Sequence, residues 1–316
     1  CMQECPVNIE HVPAIVGMRR SLVMMEANFP PEVQPAYSNM ENNATPWAFS
    51  PSERADWAEG TDVQTVAENP EMDVLFWVGC AGSYDDRAKK TTKAFAELMQ
   101  IANVNFKILG TEERCSGDPA RRSGNEYLAD MLTKMNVETM NTYNVKTIVT
   151  TCPHCFNTLK NEYPELGGNY EVIHHTTFLQ NLIDEGKIKL KGGGEFKGKK
   201  IVFHDPCYLG RANSVYEAPR EIIQKLDVEL AEMKRSKANG LCCGAGGAQM
   251  FKESEKGTKE VSTERAEEAL ALEPDVIAVG CPFCNTMMTD GVKHFNKEDK
   301  TKVLDVAELI AKANDL

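Results

Sequence analysis

The sequence predicts an α/β protein made of two pseudo-symmetric repeats, each built on a mainly parallel sheet. Three observations carry this expectation. At 316 residues the chain exceeds what one hydrophobic core usually organises, so two globular units are expected. The same order of strand and helix patterns runs twice, on either side of Gly192-Gly193-Gly194. Cysteines fall at matching places in the two passes. Cys80 and Cys115 lie 35 residues apart, as do Cys207 and Cys242, while Cys115 to Cys152 spans 37 and Cys242 to Cys281 spans 39.

Taken in order, Cys1 to about Ala27 carries a cysteine tail and then an apolar stripe at helical spacing: Ile9, Val12, Ile15, Val16, Leu22 and Val23. Residues 28–72 read as a wrapping linker, because Pro30, Pro31, Pro35, Pro46, Pro51 and Pro70 interrupt any long element. One short helix is expected inside it, with Ser50 as N-cap, Pro51 at the first position and Glu53 completing a capping box. Trp47 and Trp57 would anchor this segment to the globular body.

The first repeat, 73–194, opens with a buried strand from Asp73 to Gly79 that ends at Cys80. A helix over 85–102, a strand at 105–109, a turn with Cys115 and a helix over 125–143 follow. Strand 146–150 runs into Cys152-Pro-His-Cys155 at a helix start, and strand 170–173 with helix 176–183 closes the unit. The second repeat, 195–316, has strand 200–204 leading to Cys207, helix 217–226 and strand 228–232. Cys242-Cys243-Gly244, helix 259–272 and strand 275–279 come next. Cys281-Pro-Phe-Cys284 follows, and strand 302–304 with helix 306–311 ends the unit.

Composition narrows the function classes. With 47 acidic against 35 basic side chains the formal charge is -12, which excludes nucleic acid as an expected partner. A hydrophobic content of 42% and a charged content of 26% fit a folded globular chain. The best apolar run, Val276 to Phe283, is far too short to span a bilayer. Eleven cysteines are too many for packing alone, and an odd number suits a closed disulfide framework poorly.

In each repeat the cysteines sit at or just beyond strand C-termini, the edge where open α/β sheets place ligands. Cys207, Cys242, Cys243, Cys281 and Cys284 bring five thiols from three loops, more than one zinc ion needs. Iron–sulfur clusters use thiolate ligands and several irons, so a cluster is the expected occupant, with zinc as the alternative. Gly244, Gly246 and Gly247 would let backbone N–H groups approach such a cluster, and Pro282 would aim the free N–H groups of its helix there. The first repeat has Cys115-Ser116-Gly117 in place of the cysteine pair. Its four thiols, Cys80, Cys115, Cys152 and Cys155, suffice for zinc or for a 4Fe–4S cube. Asp118 is expected to cap its turn rather than bind metal.

Cys1-x3-Cys5-Pro6 matches the final half of the bacterial ferredoxin run C-x2-C-x2-C-x3-C-P. We therefore expect a fragment cut from a longer chain, not a trimmed lipoprotein, with Cys1 and Cys5 serving ferredoxin-type clusters that are incomplete here. Among the histidines, His204 stands one loop from the five thiols and could donate to a cluster sulfur, carry a proton, or simply cap backbone. His154 is expected to face outward, and at most one of His174 and His175 can enter any pocket. Arg121 and Arg122 either offset cluster charge or form a solvated helix start. No other catalytic side chain is assigned.

The pattern Cys207…Cys242-Cys243-Gly244…Cys281-Pro-Phe-Cys284 resembles the CCG domain found in heterodisulfide reductase and its relatives. That resemblance implies a non-cubane 4Fe–4S cluster on these five cysteines. A wider resemblance rests on CPVNIEHV (Cys5 to Val12), NATPWAFSPSERADWAEG (Asn43 to Gly60) and FWVGCAGSYDDRA (Phe76 to Ala88). ERCSGDPARRSGNEYL (Glu113 to Leu128), TTCPHCFNTLKNEYP (Thr150 to Pro164) and HDPCYLGR (His204 to Arg211) extend it. Together these are similar to bacterial membrane-bound electron-transfer-flavoprotein:menaquinone oxidoreductases, which join a haem-binding membrane domain, a ferredoxin domain and two CCG domains. The resemblance implies a chain at the cytoplasmic face of the inner membrane that takes electrons from a flavoprotein and passes them towards haem and menaquinone. Alone, it would bind iron but reduce no quinone. A disulfide reductase with a catalytic cluster and a zinc-stabilised interaction scaffold are the alternatives.

Overall fold

The computed structural model describes residues 5–254 and 256–316. Its β-structure is two four-stranded, wholly parallel sheets. The first comprises β1 (Val74–Trp77), β2 (Phe106–Lys107), β3 (Thr147–Thr150) and β4 (Glu171–His174), in the order β2-β1-β3-β4. The second comprises β5 (Lys200–Phe203), β6 (Glu229–Ala231), β7 (Val276–Val279) and β8 (Lys302–Asp305), in the order β6-β5-β7-β8. The identical order, with the first and third strands central in each repeat, is the duplication expressed as topology. VLFW in β1 and VIAV in β7 are continuously apolar and wholly buried, as parallel strands covered on both faces must be.

The repeats do not keep separate cores. Phe76, Phe95 and Leu179 of the first share one apolar cluster with Phe203, Ile222 and Leu309 of the second. Helix Ala88–Ile101 packs on Val306–Ala313, and helix His175–Asp184 packs on Glu217–Gln224. An ion pair and a hydrogen bond stitch the same seam: Arg87 to Glu308 at 2.8 Å, and His175 Nε2 to Asp305 Oδ1 at 2.8 Å, the latter completely buried. Gly193 permits the crossing between repeats, since a Cβ there would lie 2.1 Å from the Leu226 carbonyl oxygen.

The proline-rich stretch holds more than the one short helix expected. Gln34–Asn43 is an α-helix, tolerated because Pro35 occupies its first turn, where no intrahelical N–H bond is lost. Pro51–Ala58 is a 3-10 helix; Ser50 caps it by accepting from the Ser52 N–H, without the reciprocal Glu53 arm of a capping box. Trp57 is buried edge-on against Phe76, and Trp47 lies between Phe251 and Phe283 of the second repeat, so both indoles anchor the segment. The first helix, Val12–Glu26, buries only Val16 and leaves Val12, Ile15 and Leu22 exposed. Arg19 ties it to both repeats by donating to the carbonyls of Arg122 (2.8 Å) and Gly247 (3.0 Å). Among the described residues no helix is long and apolar enough to cross a membrane.

Candidate metal centres

Because every strand runs the same way, all C-terminal strand ends of a sheet share one edge, and the repeat seam brings the two edges together. Cys80 follows β1 on the short helix Gly79–Tyr84. Cys152 is the N-cap of helix Pro153–Asn161, and Cys281 is the N-cap of helix Pro282–His294. Cys207 follows β5, and Cys115 and the Cys242-Cys243 pair arrive on loops. Cys155 and Cys284 lie in the first turns of the same two helices, which makes nine cysteines; all are free thiols, and seven are buried.

In the second site the thiols form a continuous set. Cys207 meets Cys242, Cys242 meets Cys243, Cys243 Sγ stands 3.4 Å from Cys284 Sγ, and Cys284 meets Cys281. Gly244 sits in the left-handed region at φ +97° and donates its N–H to Cys242 Sγ at 3.3 Å. The N–H groups of Phe283 and Cys284 bond the Cys281 sulfur, because Pro282 opens a helix whose first amides have no intrahelical partner. Gly246 instead gives room to His154, whose Cε1 would lie 3.6 Å from an added Cβ.

His204 is fully buried, and its ligand nitrogen falls within 4.8 Å of Cys243 Sγ and Cys284 Sγ. Its Nδ1 accepts from Arg265 Nε at 3.0 Å, which leaves Nε2 to carry the proton of a neutral ring. Burial and the Arg265 guanidinium push the imidazole down to about 3. Among the described residues Nε2 has no hydrogen-bond partner. A buried donor without a partner, beside a set of thiols, suits a site built for an anionic, sulfur-rich group.

The first site repeats this plan with substitutions. Cys80 bonds Cys115, Cys155 bonds Cys152, and Cys80 and Cys155 interact electrostatically. Gly117, at φ +89°, directs its N–H to the Cys115 sulfur as Gly244 does to Cys242. Tyr163 and Asn136 brace the loop: the Tyr163 hydroxyl donates to the Ser116 carbonyl at 3.2 Å, and Asn136 Nδ2 donates to the Cys115 carbonyl at 3.0 Å. Cys152 also bonds Cys281, so the two sites touch through one thiol from each repeat.

Sequence reasoning missed Arg54. The guanidinium leaves the 3-10 helix, is wholly buried, and donates to Cys80 Sγ at 3.4 Å, to Glu113 Oε1 at 3.0 Å and to the Ala44 carbonyl at 3.2 Å. Glu113 in turn accepts the Val78 and Gly79 N–H groups at 3.0 and 2.8 Å. The hydrogen bond from Cys115, opposed by burial and helped by Arg54, holds Cys80 down to about 6. One signal was available: Arg54 and Trp57 are three residues apart, and such residues eclipse on a 3-10 helix, so a buried Trp57 carries Arg54 inward with it.

His154 faces inward, contrary to expectation. It is buried, packs on Tyr208 and Phe283 across the seam, and bonds Asp118 through Nδ1 at 2.9 Å. Asp118 is further engaged by Arg122, and Arg122 also pairs with Glu162, so these charges satisfy one another rather than a metal. Arg121 is likewise paired with Glu162 and Glu126. His174 bonds Thr176, and His175 is spent on Asp305. Cys5 stands apart: the interactions on its thiol come from the N–H groups of Val7, Asn8 and Ile9. Cys1 lies outside the described residues.

Nine thiols, amide donors aimed at sulfur, and a buried histidine N–H fit iron–sulfur chemistry better than a single closed zinc site, which four ligands complete. Comparison with known proteins agrees. The cysteine-rich domain family model (CCG) matches residues 74–160 and 201–289, one match per repeat. An EtfAB:quinone oxidoreductase of Syntrophomonas wolfei is 44% identical over 324 residues, covering 99% of this chain and 45% of that protein. The probable iron–sulfur-binding oxidoreductase FadF of Bacillus subtilis is 43% identical, over 99% of this chain and 45% of its own length. One subunit of the dihydromethanophenazine:CoB–CoM heterodisulfide reductase of Methanosarcina mazei is 31% identical, over 99% of this chain and 75% of its own. The chain thus spans a little under half the length of the first two relatives. It belongs to the cysteine-rich CCG-domain family of iron–sulfur oxidoreductases.

Proposed function

We propose that this chain relays electrons from a reduced flavoprotein of the electron-transfer-flavoprotein type towards membrane haem and menaquinone, at the cytoplasmic face of a bacterial inner membrane. Cys207, Cys242, Cys243, Cys281 and Cys284 would hold a 4Fe–4S cluster of non-cubane type. Cys80, Cys115, Cys152 and Cys155 would hold a second 4Fe–4S cluster, and Cys1 and Cys5 would serve ferredoxin-type clusters. Such clusters take up and release single electrons. The carrying observation is the contact between Cys152 and Cys281, which leaves no protein layer between the two thiol sets.

The remaining tasks fall to the chain itself. Burial keeps water from seven of the nine thiols, and the Gly117, Gly244, Phe283 and Cys284 amides offset thiolate charge. His204 stands beside the second site with an Nε2–H unused among the described residues, and its neutral ring adds no charge there. Similarity to a heterodisulfide reductase supports a second reading, in which thiol–disulfide chemistry occurs at the second site. Anaerobic assay of iron and acid-labile sulfide, followed by rapid mixing with reduced electron-transfer flavoprotein, separates the readings. The relay predicts two iron–sulfur groups that bleach on mixing. Zinc without iron contradicts it, and bleaching only with a thiol or disulfide substrate favours the second reading.

A further inference from the structure

We propose that the Ser116 hydroxyl is the fifth ligand of the metal group in the first site, in the place that Cys243 fills in the second. The inference deepens the function proposed above and rests on its reading that the first site holds an iron–sulfur cluster.

The two repeats align here as Cys115-Ser116-Gly117 and Cys242-Cys243-Gly244. The glycines share a left-handed backbone, at φ +89° and +97°, and each sends its N–H to the first cysteine of its own motif. With the turn alike in shape, the middle side chain leaves it in the same direction. Ser116 Oγ then stands 3.6 Å from Cys155 Sγ, where Cys243 Sγ stands 3.4 Å from Cys284 Sγ. Cys155 and Cys284 are themselves equivalent, both in the first turn of a helix opened by proline. Ser116 is as buried as Cys243, at 3% against 4% exposure.

The surroundings of Ser116 favour a ligand over a merely equivalent position. Among the described residues the Ser116 hydroxyl is hydrogen-bonded to the Cys155 sulfur and to no other group, so the protein does not use it to satisfy backbone. Its own carbonyl is held by Tyr163, which fixes the loop and with it the direction of the side chain. The other oxygen donors nearby are already engaged, Asp118 by His154 and Arg122, and Glu113 by Arg54 and the Val78 and Gly79 N–H groups. Serine differs from cysteine by one atom and keeps a donor lone pair, with a harder oxygen replacing a soft sulfur. Ligation would form one iron–oxygen bond and send the hydroxyl proton to solvent, as thiol ligation does, with no electron transferred.

The test compares wild type with Ser116→Cys and Ser116→Ala in the whole chain, reconstituted anaerobically with isotopically enriched iron. Mössbauer and electron paramagnetic resonance spectra are read together with iron content. The expected wild-type spectrum contains one oxygen-ligated iron component. Ser116→Cys should convert it to a thiolate component and draw the first-site spectrum towards that of the second, at unchanged iron content. Ser116→Ala should abolish the component, with loss of iron from the first site. A Ser116→Ala protein with the wild-type Mössbauer components overturns the proposal, and one in which only the reduction potential moves overturns it too, marking the hydroxyl as a hydrogen-bond donor. A Cys80→Ala/Cys155→Ala protein keeps the underlying reading separate: if its iron content equals wild type, no first-site cluster exists whatever Ser116 does.

Discussion

The same turn, strand order and helix starts build both thiol sites, yet the two differ in charge. The second site offers five thiols beside a neutral, buried imidazole, with Arg265 held one residue away behind His204 and Arg211 acting on Cys207 through space without a hydrogen bond to it. The first offers four thiols and a hydroxyl, with the Arg54 guanidinium bonded directly to Cys80. The number of anionic ligands is the same once Ser116 has given up its proton, so the difference lies in the cation bonded to Cys80, which favours an added electron: the first site should be the easier to reduce. Duplication thus supplies the position of a site, and what each copy places around the thiols sets how it is used.

The largest expected effect comes from separating the two sites. Cys281→Ala should remove the second-site iron, leaving roughly half of the wild-type iron and sulfide with the first-site spectrum intact. Loss of all iron would show the sites to be one indivisible assembly, and full retention would remove Cys281 from the ligand set.

Next is the buried ion pair whose guanidinium also bonds a thiol of the first site. Arg54 and Glu113 are both almost wholly inaccessible, and removing one partner of such a pair typically costs about 3–5 kcal/mol. Glu113→Ala should therefore lower the urea midpoint strongly, whereas Glu217→Ala, which removes the exposed partner of Lys237, should change it little. Equal shifts would contradict the distinction.

A smaller effect concerns acid stability. Burial opposes ionisation of Asp118, but His154 and Arg122 outweigh it and hold the carboxyl well below the usual carboxylate range. A folded pKa below the unfolded value means that the stabilisation is complete above about pH 4 and lost as pH falls further, on the order of 2 kcal/mol. Asp118→Asn should be less stable than wild type at pH 7 and should converge with it towards pH 2. Parallel curves at all pH values would contradict this account of the Asp118 network.

The smallest shift is in potential. An isolated charge about 6 Å from a cluster, at an effective dielectric of ~20, is worth ~3 kcal/mol, or on the order of 100 mV. Glu113 neutralises part of Arg54, so Arg54→Gln should lower the first-site potential by only tens of millivolts and leave the second unmoved. A shift confined to the second site would reverse the assignment.

Much of this was legible because the signal is local or repeated. Strand patterns such as VLFW and VIAV end at cysteines whose spacing recurs, so the sheets and both thiol sets could be read without coordinates. Helix Gln34–Asn43 was hidden by its own Pro35, a helix-breaker elsewhere but harmless in a first turn. Arg54, the inward turn of His154 and the meeting of Cys152 with Cys281 depend on packing between segments far apart in sequence. No periodicity records which side chains face one another across such a seam.

The most direct test of the account is a redox titration of the anaerobically reconstituted chain, followed by electron paramagnetic resonance. Two separate one-electron transitions with distinct spectra are predicted, the first-site signal appearing at the higher potential and vanishing in Cys80→Ala/Cys155→Ala protein. A single transition, or the lower-potential signal vanishing in that variant, would contradict it.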